Sequence, residues 1–223
     1  VTAAGGYFNQ TNLDKSGNIN SAQSVSVVNL NTYSTTANNE NMGSRDIFVG
    51  ALLADLSPVK LEAWYLDLAE TFDSYTVGAK ADLDLSDVKL GVDARYASLN
   101  LDNVSDDNAM AKIALTAKAG IVNGKVAYAW TDKEGGLTAL DNDANTTLLG
   151  WNLTSNNKAD ANYWQGVIGV DILSNLNLSA NYGNLQYISA AGSTTDVEEE
   201  EIYAQLMYKM SKNLSTYVRY GTY

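Results

Sequence analysis

Apolar and polar residues alternate along most of the chain, and the alternation is clearest in residues 75–96. Side chains on a strand point to opposite faces with a period of two, so this pattern predicts strands with one apolar and one polar face. Ser86 and Asp87 interrupt the alternation and predict a tight turn between two strands. The first predicted strand carries an aromatic residue and then only aliphatic residues on its apolar face: Tyr75, Val77, Ala79, Ala81, Leu83 and Leu85.

The same pattern recurs along the chain and predicts about eleven strands in an antiparallel, up-and-down order. The connections alternate between short turns and long polar loops, which we place at residues 9–45, 99–109, 132–161 and 188–199. In an up-and-down sheet this alternation puts all short turns on one rim and all long loops on the other. The predicted short turns lie at five sites: Ser57-Pro58, Ser86-Asp87, Asn123-Gly124, Ser174-Asn175 and Ser211-Lys212.

Two local signals refine these boundaries. Asn123-Gly124 predicts a type I′ hairpin turn, because that turn needs positive φ at both central positions. Within the first long loop, residues 25–28 alternate weakly and suggest one additional short strand. No stretch has a convincing helical period and no linker divides the chain, so we predict a single β domain over residues 1–223.

Alternation alone does not distinguish a half-exposed sheet in a soluble protein from a membrane barrel. Three features favour an outer-membrane barrel: apolar faces rich in Ala, Tyr and Trp clustered near strand ends, and long loops confined to one rim. Small Ala side chains fill the core of a soluble β-sandwich poorly, but they are compatible with fluid lipid. The alternative that stays open is a soluble β-barrel that binds a ligand.

The composition excludes several classes of function. The chain of 223 residues has no His and no Cys, which removes most zinc, haem, thiol and His-based acid–base chemistry, so we do not expect an enzyme. Its formal net charge of -12 argues against a nucleic-acid partner, which requires basic patches. The first eight residues already alternate like a strand and lack a charged start. We therefore expect that the chain begins inside a longer protein or that its leader was removed.

Two segments resemble the major outer membrane proteins, or porins, of Campylobacter and related bacteria. The first, residues 118–134, contains KAGIVNGKVAYAWTDKE, with a strand, a Val-Asn-Gly turn, a strand and an Asp-Lys-Glu loop start as in that family. The second, residues 201–220, resembles a family strand, a Ser-Lys turn and a Tyr-rich strand. The resemblance is one of pattern over most of the chain rather than of a short diagnostic motif.

The resemblance implies a trimeric transmembrane barrel of about 16–18 strands in the bacterial outer membrane. The chain corresponds to the C-terminal part of such a barrel. N-terminal strands with their pore-constricting loop are absent, as is a last strand, so the resemblance implies a fragment. The implied partners are outer-membrane lipid, small hydrophilic solutes and ions, and two further copies of the chain.

The function that follows is passive diffusion through a water-filled, charged lumen, with a preference for cations suggested by the acidic excess. The alternative is a surface adhesin that binds through its long loops. Charged residues on the polar faces are the candidates for lining the pore. They are Lys80, Asp82, Lys89, Asp93, Arg95, Lys112, Lys118, Lys125, Lys209 and Arg219.

One loop is a weak candidate for a calcium site. Residues 140–145 place oxygen ligands at alternate positions, as Ca²⁺ prefers, and Asp141 and Asp143 are the candidate ligands. The loop lacks the glycine and distal Glu of an EF-hand, so an ordinary polar loop is the competing interpretation, and no other cofactor is expected. We interpret the acidic run at residues 198–201 as a solvated loop end.

Overall fold

A computed structural model describes residues 1–9, 45–102, 107–134, 145–189 and 192–223. They form one antiparallel sheet in which each strand pairs with the next one along the chain, as predicted. Among these residues no helix is long and apolar enough to cross a membrane. The eleven strands are β1 (Thr2–Phe8), β2 (Ile47–Leu56), β3 (Val59–Leu68), β4 (Phe72–Leu85), β5 (Val88–Leu101), β6 (Asn108–Ala119), β7 (Val122–Thr131), β8 (Ala159–Leu173), β9 (Leu176–Ile188), β10 (Asp196–Ser211) and β11 (Leu214–Thr222).

Strand register separates the side chains into two faces. Paired residues lie on the same face, so one row across β4 to β7 contains Ala79, Ala94, Ile113 and Tyr128. The adjacent row on the other side contains Lys80, Asp93, Ala114 and Ala127. We refer to these two sides as the apolar face and the polar face.

The apolar face is tall enough to match a bilayer. On β4 it extends from Tyr75 to Leu85, ten residues apart in sequence. With a rise of about 3.4 Å per residue and a tilt of about 40°, this distance is roughly 26 Å along the membrane normal. The apolar band of outer-membrane barrels is about 25 Å tall.

Four of the five predicted short turns are correct and one is wrong. The strands flanking Ser57-Pro58, Ser86-Asp87 and Ser174-Asn175 pair as expected, and the turn after Ser211 consists of Lys212 and Asn213. Asn123 and Gly124, in contrast, lie inside β7 and pair with Lys118 and Ala117.

The actual turn between β6 and β7 is Gly120-Ile121, because Ala119 pairs with Val122. Gly120 has φ 57° while Ile121 is not in the positive region, which is the arrangement of a type II′ turn. Glycine is favoured at the first position of that turn because it reaches positive φ without a steric penalty.

Where the structure describes them, the long connections are shorter than the loops predicted from the sequence pattern. Strand β5 continues to Leu101 and β6 begins at Asn108, while β9 reaches Ile188 and β10 begins at Asp196. The suggested strand at residues 25–28 lies outside the described residues, as does most of the loop 9–45.

Residues 145–158 pack against the polar face of the sheet and form a small hairpin. Leu149 bridges Thr154, the Gly150 N–H donates to the Leu153 carbonyl at 2.9 Å, and the Ser155 N–H donates to the Leu148 carbonyl at 3.1 Å. We call this segment the docked hairpin. Its two buried Leu side chains join a small core with side chains of β7, β8 and β9: Leu148, Leu153, Ala127, Ala129, Ala161, Tyr163 and Leu185.

The two outer strands of the sheet each have one partner. Among the described residues, β1 pairs only with β2 and β11 pairs only with β10. The sheet is therefore open between its first and last strands.

Candidate functional site

The polar face brings together all ten residues predicted to line a pore. They come from six strands: Lys80 and Asp82 on β4; Lys89, Asp93 and Arg95 on β5; Lys112 and Lys118 on β6; Lys125 on β7; Lys209 on β10; and Arg219 on β11. The docked hairpin packs on this same face. Their shared orientation follows from the register, and their role in lining a passage stays a prediction.

An ionic cluster spans β3, β5 and β6. Arg95 on β5 bonds to the Glu62 carboxylate on β3 across the intervening strand β4, and its Nε lies 3.1 Å from Oδ1 of Asp93. The other oxygen of Asp93 is 3.5 Å from the Lys112 ammonium, which also donates to the carbonyl of Asn145. The Arg95 side chain is only 14% exposed, so this cluster is held more firmly than a solvated surface pair. The cluster connects the polar face of the sheet, which we call the wall, to the start of the docked hairpin.

A cavity of about 410 Å³ lies between this part of the wall and the docked hairpin. Lys80, Lys112 and Lys125 line it, with Thr147 and Leu148 on the hairpin side. Lys125 is half-buried, and no carboxylate of the described residues lies within 4 Å of its ammonium. Lys125 is therefore a cation without an ion-pair partner among the described residues, in a cavity that Asp82 and Asp93 also line.

The other predicted cations have separate environments along the polar face. Lys118 bonds to Asp171 on β8, and Lys89 lies 3.3 Å from Asp84 across the turn. The Nε of Arg219 donates to Gln205 at 2.6 Å. The guanidinium of Arg219 also stacks near the rings of Tyr203 and Tyr217, at 5.3 and 4.6 Å. The charges are thus dispersed along the polar face among the described residues.

Sequence reasoning missed Glu62, Glu201 and the docked hairpin. The interpretation of Glu201 as part of a solvated loop end is wrong, since its side chain is buried against the hairpin. A signal was available: extending the alternation of β10 backwards places Glu201 on the polar face with Tyr203, while Glu198 and Glu200 fall on the opposite face. The small side chains of Ala127 and Ala129 on the polar face of β7 also indicated that another segment of the chain could pack there.

The calcium candidates Asp141 and Asp143 lie outside the described residues. Within the described ranges no group of three or more Asp or Glu side chains is arranged to hold a metal ion. The calcium site therefore stays a prediction.

Aromatic residues follow the apolar face as a belt near the end of the strands that leads to the long loops. Tyr75 and Tyr96 have ring centroids 5.9 Å apart, and Tyr96 is 6.5 Å from Trp130. Tyr128 and Trp164 follow, at 4.4 Å. Rings of this type collect at the lipid–water boundary of outer-membrane barrels, because they have an apolar body and a polar tip.

Comparisons with known proteins found similarity in structure only. No protein-family model matches the chain, and no curated protein matches it by sequence.

Several solved structures share the fold, and three from Pseudomonas aeruginosa illustrate it. OccK10 (OpdN) superposes with a TM-score of 0.64 at 18% identity, over 78% of this chain and 55% of its own. OccK2 (OpdF), solved in complex with glucuronate, has a TM-score of 0.62 at 18% identity, over 80% and 52%. The outer membrane protein OprD has a TM-score of 0.61 at 17% identity, over 85% and 55%.

The chain therefore has the up-and-down sheet of an outer-membrane barrel and spans about half the length of these solved structures. This confirms the predicted fold class. The narrower resemblance to the Campylobacter family is not confirmed, since the similar structures are Occ and OprD proteins.

Proposed function

We propose that the protein forms a passive channel in a bacterial outer membrane and that its polar face lines the water-filled passage. One observation carries this proposal: large apolar side chains of the sheet are exposed, whereas charged side chains on its opposite face are buried. On the apolar face Ile168 is 62% exposed and Val218 is 68% exposed, whereas Arg95 and Glu201 on the polar face are largely buried. Leaving large aliphatic side chains in water is unfavourable, but the same side chains are favourable in lipid.

The docked hairpin supports a channel of limited width. It lies on the polar face of β7 to β10, so in a closed barrel it would occupy part of the lumen. Selection in such a passage depends on its diameter and on the charges that line it, and no catalytic residue is needed. We propose small hydrophilic solutes and ions as the cargo.

Two features of the chain have opposite effects on whether the proposed channel prefers cations or anions. The net charge of -12 favours cations overall, and that is the basis of the predicted cation preference. The half-buried Lys125, which has no ion-pair partner among the described residues, favours anionic solutes locally beside the docked hairpin, whereas Lys112 is paired with Asp93. OccK2, a structural neighbour, was solved with the carboxylate-bearing sugar glucuronate, which makes small carboxylates reasonable test solutes for this chain.

Replacing Lys125 with Glu is expected to shift the reversal potential in a salt gradient towards greater cation preference. Lys125 is half-buried and has no carboxylate partner in the described residues, so reversing its charge acts directly on passing ions. The matched control is Lys212→Glu, which makes the same charge change in the exposed turn between β10 and β11. Equal shifts in both variants would mean that Lys125 does not face the passage.

Planar-bilayer recording of the purified protein tests the channel itself. Large, stepwise and weakly selective openings are expected. A protein that inserts and never conducts would support the surface-adhesin alternative, in which the lumen is filled. A protein that keeps its β structure in buffer without detergent would contradict the membrane assignment and favour a soluble β-barrel.

Two finer proposals rest on the sequence resemblance: membership of the Campylobacter porin family and assembly as a homotrimer. A third, a calcium ion near Asp141 and Asp143, rests on the spacing of oxygen ligands in residues 140–145. Unpaired strand edges are not tolerated in lipid, so a closed passage also needs partners for β1 and β11. Chemical cross-linking in detergent separates a trimer from a monomer, and calcium-dependent thermal stability tests the ion.

A further inference from the structure

We propose that Glu201 is the positioning residue that keeps the docked hairpin on the polar face and so sets the width of the passage. The inference rests on the proposed channel function for its consequence, whereas the role of Glu201 in holding the hairpin stands on contacts alone.

Glu201 is a buried carboxylate whose partners are backbone amides. It is 2% exposed, and among the described residues no Lys or Arg lies within 4 Å of it. The Trp151 N–H donates to both carboxylate oxygens, at 2.9 and 3.0 Å, and the Asn152 N–H donates to Oε2 at 2.8 Å. A carboxylate removed from water needs such bonds to remain buried. All of these bonds come from the tip of the docked hairpin.

The hairpin tip approaches the wall so closely that it needs a glycine. A Cβ on Gly150 would lie 1.8 Å from Oε1 of Glu201 and 2.4 Å from the hydroxyl of Tyr163. Gly150 is not in the positive φ region, so its role here is close approach rather than an unusual backbone conformation. The tip is thus shaped to fit the Glu201 carboxylate.

Other contacts hold the flanks of the hairpin but leave the tip to Glu201. Gln165 donates from Nε2 to the Leu149 carbonyl at 2.6 Å, and Leu148 packs on the small Ala residues of the wall. The ring of Trp151 meets Tyr203 edge-on at 5.4 Å. These three contacts are neutral, and the charged groups that reach the segment lie at its two ends, Lys112 at Asn145 and Glu199 at Lys158. Hydrogen bonds to a charged carboxylate are roughly twice as strong as neutral ones. Loss of the Glu201 charge should therefore free the tip first.

Within its acidic run, Glu201 is the member that bonds to the hairpin tip, while Glu199 on the same face lies 4.0 Å from Lys158 at the end of the segment. Glu200 is exposed on the apolar face, where its carboxylate accepts from the Tyr182 hydroxyl at 2.7 Å. The two neighbours thus differ in face and in burial, which provides a matched control one residue away.

The test measures release of the hairpin with a single cysteine. The chain has no Cys, and Ser155 in the docked hairpin is 0% exposed, so Ser155→Cys provides one buried thiol close in shape to the native side chain. A small charged methanethiosulfonate reagent is applied to the folded protein in detergent. In the S155C/E201A protein the labelling rate is expected to rise at least roughly 10- to 100-fold over S155C, because losing one hydrogen bond to a charged group accounts for that range and Glu201 accepts from two N–H groups.

Three companion variants make the result specific. S155C/E200A should label as slowly as S155C, and S155C/E201Q should be intermediate because one amide oxygen can still accept. Heat-modifiable migration on gels confirms that each barrel is folded. If S155C/E201A and S155C/E200A label at the same rate, Glu201 does not position the hairpin.

Conductance separates this inference from the proposed function. Faster labelling with a larger single-channel conductance in Glu201→Ala supports both. Faster labelling in a protein that never conducts keeps the positioning role and overturns the channel. Normal conductance with unchanged labelling keeps the channel and overturns the positioning role.

Discussion

Leu115→Arg is expected to destabilise the folded protein in a phospholipid bilayer by roughly 2–4 kcal/mol. Leu115 is 51% exposed on the apolar face, midway along β6 between the turn at Gly120 and the level of Tyr96. An Arg at this depth takes a charge into the hydrocarbon, where water cannot solvate it. Equilibrium unfolding in urea from phospholipid vesicles measures the difference.

The adjacent residue supplies the control. Thr116→Arg introduces the same side chain on the polar face, where Thr116 is exposed beside Lys125. We expect this variant to change the unfolding free energy by less than about 1 kcal/mol. Similar losses in both variants would show that both faces of β6 are equally wet, and the assignment of the apolar face to lipid would fail.

Gly150→Ala is expected to undock the hairpin while the sheet stays folded. The added methyl group would meet Glu201 and Tyr163 at distances that no real contact allows, and both of those side chains are buried. Overpacking of this kind typically costs about 1–3 kcal/mol, and more where neighbours cannot move. Limited chymotrypsin digestion followed by mass spectrometry should show new cleavage after Trp151.

Gly166→Ala tests whether any added methyl group has this effect. Gly166 lies on β8 near Tyr163, but a Cβ there would meet nothing within 4 Å. This variant should resist digestion like the unmodified protein. Cleavage after Trp151 in both variants would mean that the hairpin is released by general weakening of β8, and the close fit at Gly150 would not be the cause.

The fold could be predicted from the sequence because alternation reports the face of each side chain directly. Every one of the ten predicted charged residues lies on the polar face, since each occupies the opposite parity to a run of apolar residues. The strand count also followed, because turn residues such as Ser86 and Asp87 interrupt each run. These are local properties, which a single sequence contains in full.

The pairing register of β6 and β7 was harder to predict from the sequence. The turns Gly120-Ile121 and Asn123-Gly124 both place Val126, Tyr128 and Trp130 on the same face, so alternation is unable to choose between them. The Asn-Gly preference indicated the second turn. Only the first arrangement lets residues 122–124 pair with β6 and with residues 168–170 of β8. Cross-strand pairs each contribute roughly 0.2–1 kcal/mol, and together they outweigh the preference of a single turn.

The docked hairpin could not be predicted at all, because its contacts are distant in sequence. Trp151 and Glu201 are 50 residues apart, and their bond depends on the positions of β8, β9 and β10 between them. The polar composition of residues 132–161 is equally compatible with an external loop. Only the three-dimensional arrangement shows that part of this segment lies on the polar face.

The sequence separation of 50 residues between Trp151 and Glu201 also implies an order of folding events. The surface that receives the hairpin is built from Ala129, Tyr163 and Leu185 on three strands, and it exists only after those strands have paired. Bonds to Glu201 must wait for β10 as well. Contacts of such sequence separation form late, because the intervening chain must be ordered first. Docking of the hairpin is therefore expected to be the last step in folding, and in the proposed channel the passage would reach its final width only at that step.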